Sequence, residues 1–448
     1  MEPWLWQSFP LKNRTGSQIF AQLFAQEAQA TLLESPYPLS SKFGHLTRYS
    51  ICAGAPRPHR CWTPPLGTIF NFLDQFPVHE KAAANIPSHL PFQGGWLGWL
   101  GYDLAWEIEK LPQIHADILP FPVAYWYEPA TFAVLDHEQQ VLWLATTTPG
   151  QQEYLASLLH QEMVLSPRQL LTAPLSLQYS LNQTQYQNRV VKAQEYIRRG
   201  DIFQANLSLR FEALSSLASW PVYQRLQNLN PSPFASYWRS PWGDIVSCSP
   251  ERLVQVLGEQ VQTRPIAGTR PRGINAAEDE RLCQELSNNL KERAEHIMLV
   301  DLERNDLGRI CRWGTVEVDE LLAIERYSHV LHLVSNVRGR LSRPTSPSRV
   351  IRALFPGGTI TGCPKVRCLE IIEELEPVRR SLFYGSCGYL DWRGNLDLNI
   401  LIRTLLFTGG RVIGQVGAGI VADSDPRQEW FESLQKAQAQ IQALGGAI

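Results

Sequence analysis

No two of the eight cysteines in this 448-residue chain are spaced as CxxC. Cys52, Cys61, Cys248, Cys283, Cys311, Cys363, Cys368 and Cys387 are scattered, so neither a zinc site nor a dithiol redox centre is indicated. In a chain this long they read as buried thiols of a reducing compartment. An excess of one charge is also lacking. Lys and Arg total 41 against 43 Asp and Glu, a net charge of −2. With no basic stripe, a nucleic-acid partner is not expected, while a locally positive site for a small anion stays open. No run approaches the roughly 18 consecutive apolar residues of a membrane span. Residues 1–10 carry no basic stretch leading into an apolar one. The expectation is therefore no membrane segment, no signal peptide and a cytoplasmic location. Phosphate loops are missing too. Residues 94–102, GGWLGWLGY, have the wrong spacing for GxGxxG and too much glycine for a stable helix. No Ser-His-Asp or Cys-His pattern stands out for nucleophilic catalysis.

What is present is ordinary globular composition, 44% hydrophobic and 19% charged, on a length that suits two lobes or one large composite fold. Fourteen Trp supply bulky core groups. Residues 1–148 read as a first lobe with strands at 131–135 and 141–145. Residues 149–178 read as a connector and 179–448 as a second lobe. In the latter, Tyr186, Val190, Ala193 and Ile197 share a helix face, with Gly200 placed to end it. A strand is expected at 202–211, and a hairpin turns at Gly258-Glu259. One long helix is expected over 277–306. Three strands follow at 385–391, 397–405 and 412–416, and a last helix opens at Pro426. Strands in hairpins with helices outside favour an α+β architecture.

Few residues declare chemistry. Glu292 and Glu295 lie three apart on one predicted helix, and Glu429 and Glu432 repeat that spacing on the last, with Lys436 a turn beyond. There Asp425 can cap, Pro426 fits the first turn and Gln428 completes a capping box. Two such pairs facing one pocket would suit Mg²⁺, which takes carboxylates plus substrate oxygens; the same spacing is common on solvated faces. Gly417-Ala418-Gly419 after a strand, and the PGGT and TGCPK turns around Thr359, could bring bare N–H groups to an anion or simply turn the chain. Arg403, in the apolar run LNILIRTLL, is expensive unless paired, either with a substrate carboxylate or in a structural ion pair. His332 sits in apolar surroundings, as a core histidine does. Glu251 at a turn could act as an acid only if burial or a negative neighbour raised its pKa.

Several segments taken together resemble the chorismate-binding enzymes, the large subunits of anthranilate synthase and aminodeoxychorismate synthase. They are PIAGTRPRG, ERAEHIMLVDLERNDLGR, YSHVLHLVSNVRG, LFPGGTITGCPKVRCLEIIEELEP, GNLDLNILIRT and GAGIVADSDP, in family order over residues 179–443. LLES, RYSICAG and GYDLAWEIEKLP match more loosely in the first lobe. The resemblance implies a two-lobed fold of antiparallel sheets packed as a sandwich with helices outside. It implies Glu295 and Glu432 as Mg²⁺ ligands, with Glu292 and Glu429 beside them. Arg403, Gly417, Ala418, Gly419 and Lys436 are implied as carboxylate binders, with Gly268 and Thr269 of the PIAGT stretch also at the substrate. Thr359 and His332 become ring-side contacts and Glu251 the acid that protonates the leaving hydroxyl. Gln204 stands where relatives that add water carry a basic lysine. A glutamine cannot deprotonate water, so ammonia is the implied nucleophile, delivered by a separate glutaminase subunit. Leu33, Glu34 and Ser35 of LLES fall where anthranilate synthases have a tryptophan pocket.

QANL, SPERLV, PGGTITG and HLVS resemble the aminodeoxychorismate branch, whose product is 4-amino-4-deoxychorismate, a precursor of 4-aminobenzoate and folate. Ala267 in PIAGT resembles the anthranilate branch, because many aminodeoxychorismate synthases have a nucleophilic lysine there. Anthranilate synthesis, on the route to tryptophan, is thus the alternative, and an inactive ligand-binding homologue is an alternative of another class.

Overall fold

The computed structural model describes residues 4–35, 46–76, 86–161, 175–326, 330–342 and 345–446. Residues 162–174 of the connector and the first three residues of YSHVLHLVSNVRG lie outside them.

Two antiparallel sheets form the body. The first runs in the order Leu5–Pro10, Val141–Thr146, Thr131–Asp136, Tyr49–Ala53, Ala30–Glu34, Phe234–Ser240, Gly243–Ser249, Thr404–Thr408, Arg411–Ile420, Gln204–Leu214 and Gly362–Cys363. The second runs Ile266–Pro271, Val330–Arg340, Gln260–Arg264, Arg252–Leu257, Leu396–Asn399, Ser386–Asp391, Gly95–Leu100, Ala124–Pro129 and Pro56–Trp62. Their facing sides share one apolar core. Trp99 of the second sheet meets Trp238 of the first edge-on at 5.9 Å. Helices Gly16–Leu23, Pro149–His160, Ser219–Leu229 and Pro426–Ala443 cover the outer face of the first sheet through a separate cluster. The fold is an α+β sandwich with helices outside. Strands from before and after the connector enter both sheets, so the boundaries at 148 and 179 do not divide the molecule into two cores.

Local chemistry accounts for the elements. GGWLGWLGY forms Gly95–Leu100, every residue of it buried. Gly98 allows its neighbour to close in, since a Cβ there would run into Tyr125 O and the Trp126 ring. The four-residue apolar stripe gives helix Gln183–Arg198, capped by Asn182 and closed at Gly200 with φ +79°. Gly258-Glu259 makes the expected two-residue turn, Leu257 pairing with Gln260.

Two expectations need correction. The stretch at 277–306 is two helices, Ala276–Asn288 and Leu290–Gly308. Asn289 leaves the helical region (ψ 107°) and its side chain caps the next helix at Glu292 N, 3.0 Å away. The run at 397–405 is not one strand either. Leu396–Asn399 belongs to the second sheet and Thr404–Thr408 to the first. Between them the chain crosses the sandwich and turns at Arg403, which has φ +50°. At the last helix Asp425 caps as expected, accepting from Gln428 N at 2.8 Å. The Gln428 side chain does not return the bond, so the capping box is half formed.

Candidate active site

Helix Pro426–Ala443 packs on strand Arg411–Ile420, and Glu295 of helix Leu290–Gly308 reaches the strand paired with it, Gln204–Leu214, through Gln204. Gly419 lies opposite Asn206 in that pairing. A side chain at Gly419 would run into Gln204 Nε2 and stand 3.0 Å from Glu295 Oε1. Gln204, itself buried, donates from Nε2 to Glu295 Oε1 at 2.6 Å. Burial raises the Glu295 pKa, an effect that Gln204, Lys436 and Lys291 oppose and Glu432 reinforces. Glu432, at the rim, pairs with Lys436 at 2.8 Å, and that ammonium holds its pKa below the usual value. Lys436 Nζ also donates to Gly417 O at 3.1 Å. Glu429 is buried beneath, its pKa raised by desolvation against the help of Ser424. Glu292 pairs with Arg270 at 2.7 Å. A Cβ on Gly268, whose φ is +74°, would stand 2.6 Å from Glu292 Oε2. The Glu432 charge from one helix thus acts on Glu295 from the other, and Lys436, Lys291 and Arg270 lie around them.

A second group sits where the chain crosses between the sheets. Glu251 is 4% exposed and accepts from Ile266 N at 3.4 Å. Desolvation pushes its pKa up to about 8, with the Glu303 charge adding to the rise and Arg403 opposing it. The nearby Thr359 hydroxyl also opposes it, although Thr359 Oγ1 completes no hydrogen bond of normal geometry. His332 Nδ1 lies 2.9 Å from Thr269 Oγ1. Burial, then the Arg403 charge, lowers the imidazole to about 3, so it is neutral at physiological pH. Arg403 Nη1 donates to Asn230 Oδ1 at 2.9 Å. The two groups join through the Gly268–Thr269–Arg270 strand, which touches His332 on one side and Glu292 on the other. Asn206 Nδ2 reaches Thr359 O at 3.4 Å. Every candidate from Gln204 to Lys436 therefore lies in one continuous region.

Leu33, Glu34 and Ser35 do not. Leu33 and Glu34 line a separate cavity of about 120 Å³ between the sheets, with Tyr49, Arg252 and Asp397 among its walls. The Glu34 carboxylate accepts from Ser17 N at 2.9 Å and Tyr223 OH at 2.7 Å.

Sequence reasoning missed several neighbours. Arg270 lies inside PIAGTRPRG, and its ion pair with Glu292 has no local signal. Lys291 is one residue before Glu292. Asn206, whose buried Oδ1 makes no hydrogen bond, sits inside QANL. Glu303 lies two helical turns beyond Glu295 and had no local mark, since its importance comes from burial.

Residues 29–442 match the family described as chorismate binding enzyme. An anthranilate synthase component I-like protein of Synechocystis sp. is 66% identical over 453 aligned residues, covering 100% of this chain and 93% of that protein. Aminodeoxychorismate synthase component 1 of Bacillus subtilis is 45% identical over 363, covering 79% and 77%. The crystal structure of anthranilate synthase component I from Streptococcus pneumoniae superposes with a TM-score of 0.78 at 31% identity, over 88% of this chain and 92% of that one. On the matched length and on these identities, the chain belongs to the chorismate-binding enzyme family.

Proposed function

We propose that the protein is the large subunit of an aminodeoxychorismate synthase, which aminates chorismate with ammonia from a glutaminase partner in the presence of Mg²⁺. One observation carries the choice of nucleophile. Gln204 is fixed through its Nε2 to Glu295, while its buried Oε1 makes no hydrogen bond. An amide cannot take a proton from water, but a free carbonyl oxygen accepts an N–H, so the position suits holding ammonia. QANL, SPERLV, PGGTITG and HLVS, together with the Bacillus subtilis relative, support the 4-amino product. The Synechocystis relative and Ala267 support anthranilate as the second reading.

The residues fit the metal. Among the described residues no three His, Cys, Asp or Glu side chains form a ready cage. Glu292 Oε2 is buried without a hydrogen bond, and the side-chain-free Gly419 leaves room beside Glu295. That donor set suits Mg²⁺, which uses few protein carboxylates and fills its shell with substrate oxygens and water. Glu295 and Glu432 would hold it, and its charge would hold the ring carboxylate and ease loss of the hydroxyl.

The chain's own residues supply the rest. Glu251 carries a proton at neutral pH and can give it to a departing hydroxyl. His332, neutral and oriented by Thr269, presents Nε2 without adding charge. Arg403 offers a guanidinium for a carboxylate near Glu251. The Gly417–Gly419 backbone and Lys436 line the opposite side.

The test is incubation with chorismate, Mg²⁺ and ammonium at alkaline pH. A product giving 4-aminobenzoate only after a lyase is added supports the proposal. Fluorescent anthranilate with pyruvate supports the second reading, and absence of turnover removes both.

A further inference from the structure

We infer that Glu303 is a positioning residue for Glu251: a second buried carboxyl, seated on the same turn and the same strand region, that keeps the acid in its proton-bearing form. The inference rests on the reading of Glu251 as the acid.

The placement is geometric. Glu303, 4% exposed, lies inward on helix Leu290–Gly308. The Thr263 hydroxyl and Gly358 N–H lean on its carboxylate, and its Oε1 is 3.5 Å from where a Gly358 Cβ would stand. Glu251 uses the adjoining groups, Ile266 N at 3.4 Å and the nearby Thr359 hydroxyl. The carboxyls thus share the Gly358-Thr359 turn and the segment from Thr263 to Ile266. Glu303 Oε2 is buried with no hydrogen bond.

The Lys365 ammonium acts on Glu303 from a distance, lowering its pKa against burial and the Asp306 charge, which raise it. Lys365 is committed to Asp306 at 2.6 Å and to Leu354 O at 3.1 Å. Asp306, one turn along, adds a negative charge facing Glu303, while Arg309 acts on Asp306. Arg264, beside Thr263, is held by Glu320 and Glu325. On the far side Arg403, hydrogen bonded to Asn230, faces Glu251 and His332. Two carboxyls in a dry site with this allotment cannot both ionise cheaply, so each sustains the proton on the other. A merely structural Glu303 would fasten Gly358 and leave the protonation of Glu251 alone.

The experiment titrates carboxyl resonances of the full-length protein carrying ¹³C-labelled glutamate, without substrate, from pH 5 to 10. It uses the parent, Glu303→Gln and Glu251→Gln, with Glu303→Met as a variant that demands no hydrogen bonds should the amide disturb folding. In Glu303→Gln the Glu251 resonance should titrate about one pH unit lower, a tenfold change in proton affinity typical of coupled dyads. Glu251→Gln should lower Glu303 reciprocally. The alkaline limb of kcat/KM, compared at equal free ammonia, should move down with Glu251. Unchanged titration of Glu251 in a folded Glu303 variant, or of Glu303 in Glu251→Gln, overturns the inference. If the titrations shift but chorismate is not turned over, the coupling stands and the proposed function fails.

Discussion

The strongest consequence of the buried acid concerns stability as well as turnover. Replacing Glu251 by Gln keeps the shape and removes the titration. In the unfolded chain this carboxyl ionises near its usual 4.5, in the folded one near 8. A folded pKa above the unfolded one means that the contribution to stability is complete below pH 4.5 and is lost as pH rises through about 8. At pH 7 the protein keeps a proton that the unfolded chain would release, a cost on the order of 3 kcal/mol. The variant should therefore lose turnover and gain stability. For a chain of 448 residues, with unfolding entropy of about 2 cal/mol/K per residue, that corresponds to roughly 3 °C in Tm. Calorimetry from pH 5 to 9.5 gives the decisive pattern. The gap between variant and parent should widen steadily between pH 5 and 8, then level. A gap independent of pH would show that Glu251 titrates alike in both states, and the assignment of a resident proton would be wrong.

Glu295→Gln and Glu432→Gln should each abolish turnover and weaken Mg²⁺ binding at least tenfold by calorimetric titration; a near-normal rate in either removes that residue from the metal site. Gly419→Ala, whose methyl would press on Gln204 and Glu295, should cut kcat/KM by about a hundredfold or more, the scale of a misplaced catalytic group, with an unchanged far-ultraviolet spectrum. Arg380→Met should be a folding mutant. It strips Glu376 of bonds at 2.6 and 2.9 Å and frees the carbonyls of Ile360 and Asn206, so a loss of about 3–5 kcal/mol, that of breaking a buried pair, is expected in denaturant unfolding.

The sequence made the periodic and punctuated parts legible. The Tyr186 stripe, the Gly258 turn and the cap at Asp425 each depend on residues within a few positions of one another. Non-local features were hidden. Nothing in LNILIRTLL shows that its two halves belong to different sheets, because Arg403 adopts φ +50° under tertiary constraint. The break at Asn289 carries a local mark, Asn-Leu-Lys-Glu, an N-cap pattern inside a long polar stretch. For the site, spacing indicated that Glu292, Glu295, Glu429 and Glu432 could face one pocket. It could not show that Arg270 would neutralise Glu292, nor that burial would join Glu303 to Glu251.

These carboxylates are not all quieted by the same device, and on the proposed function the difference would suit them to different tasks. Glu432 and Glu292 are paired with Lys436 and Arg270, both side chains at a partly open surface. Such pairs are weak, and on the proposed function they would be exchanged when a divalent cation and an anionic substrate arrive together. Among the described residues Glu295 has the amide of Gln204 as its hydrogen-bonded partner and makes no salt bridge, so on the proposed function it would gain from a divalent ion. Glu251 is deeper and relies on a proton. An ionised carboxylate there would repel the electron-rich oxygen of a departing hydroxyl, whereas a protonated one can donate to it. On the proposed function, Glu251 would exchange a proton where Glu295 and Glu432 would exchange cations.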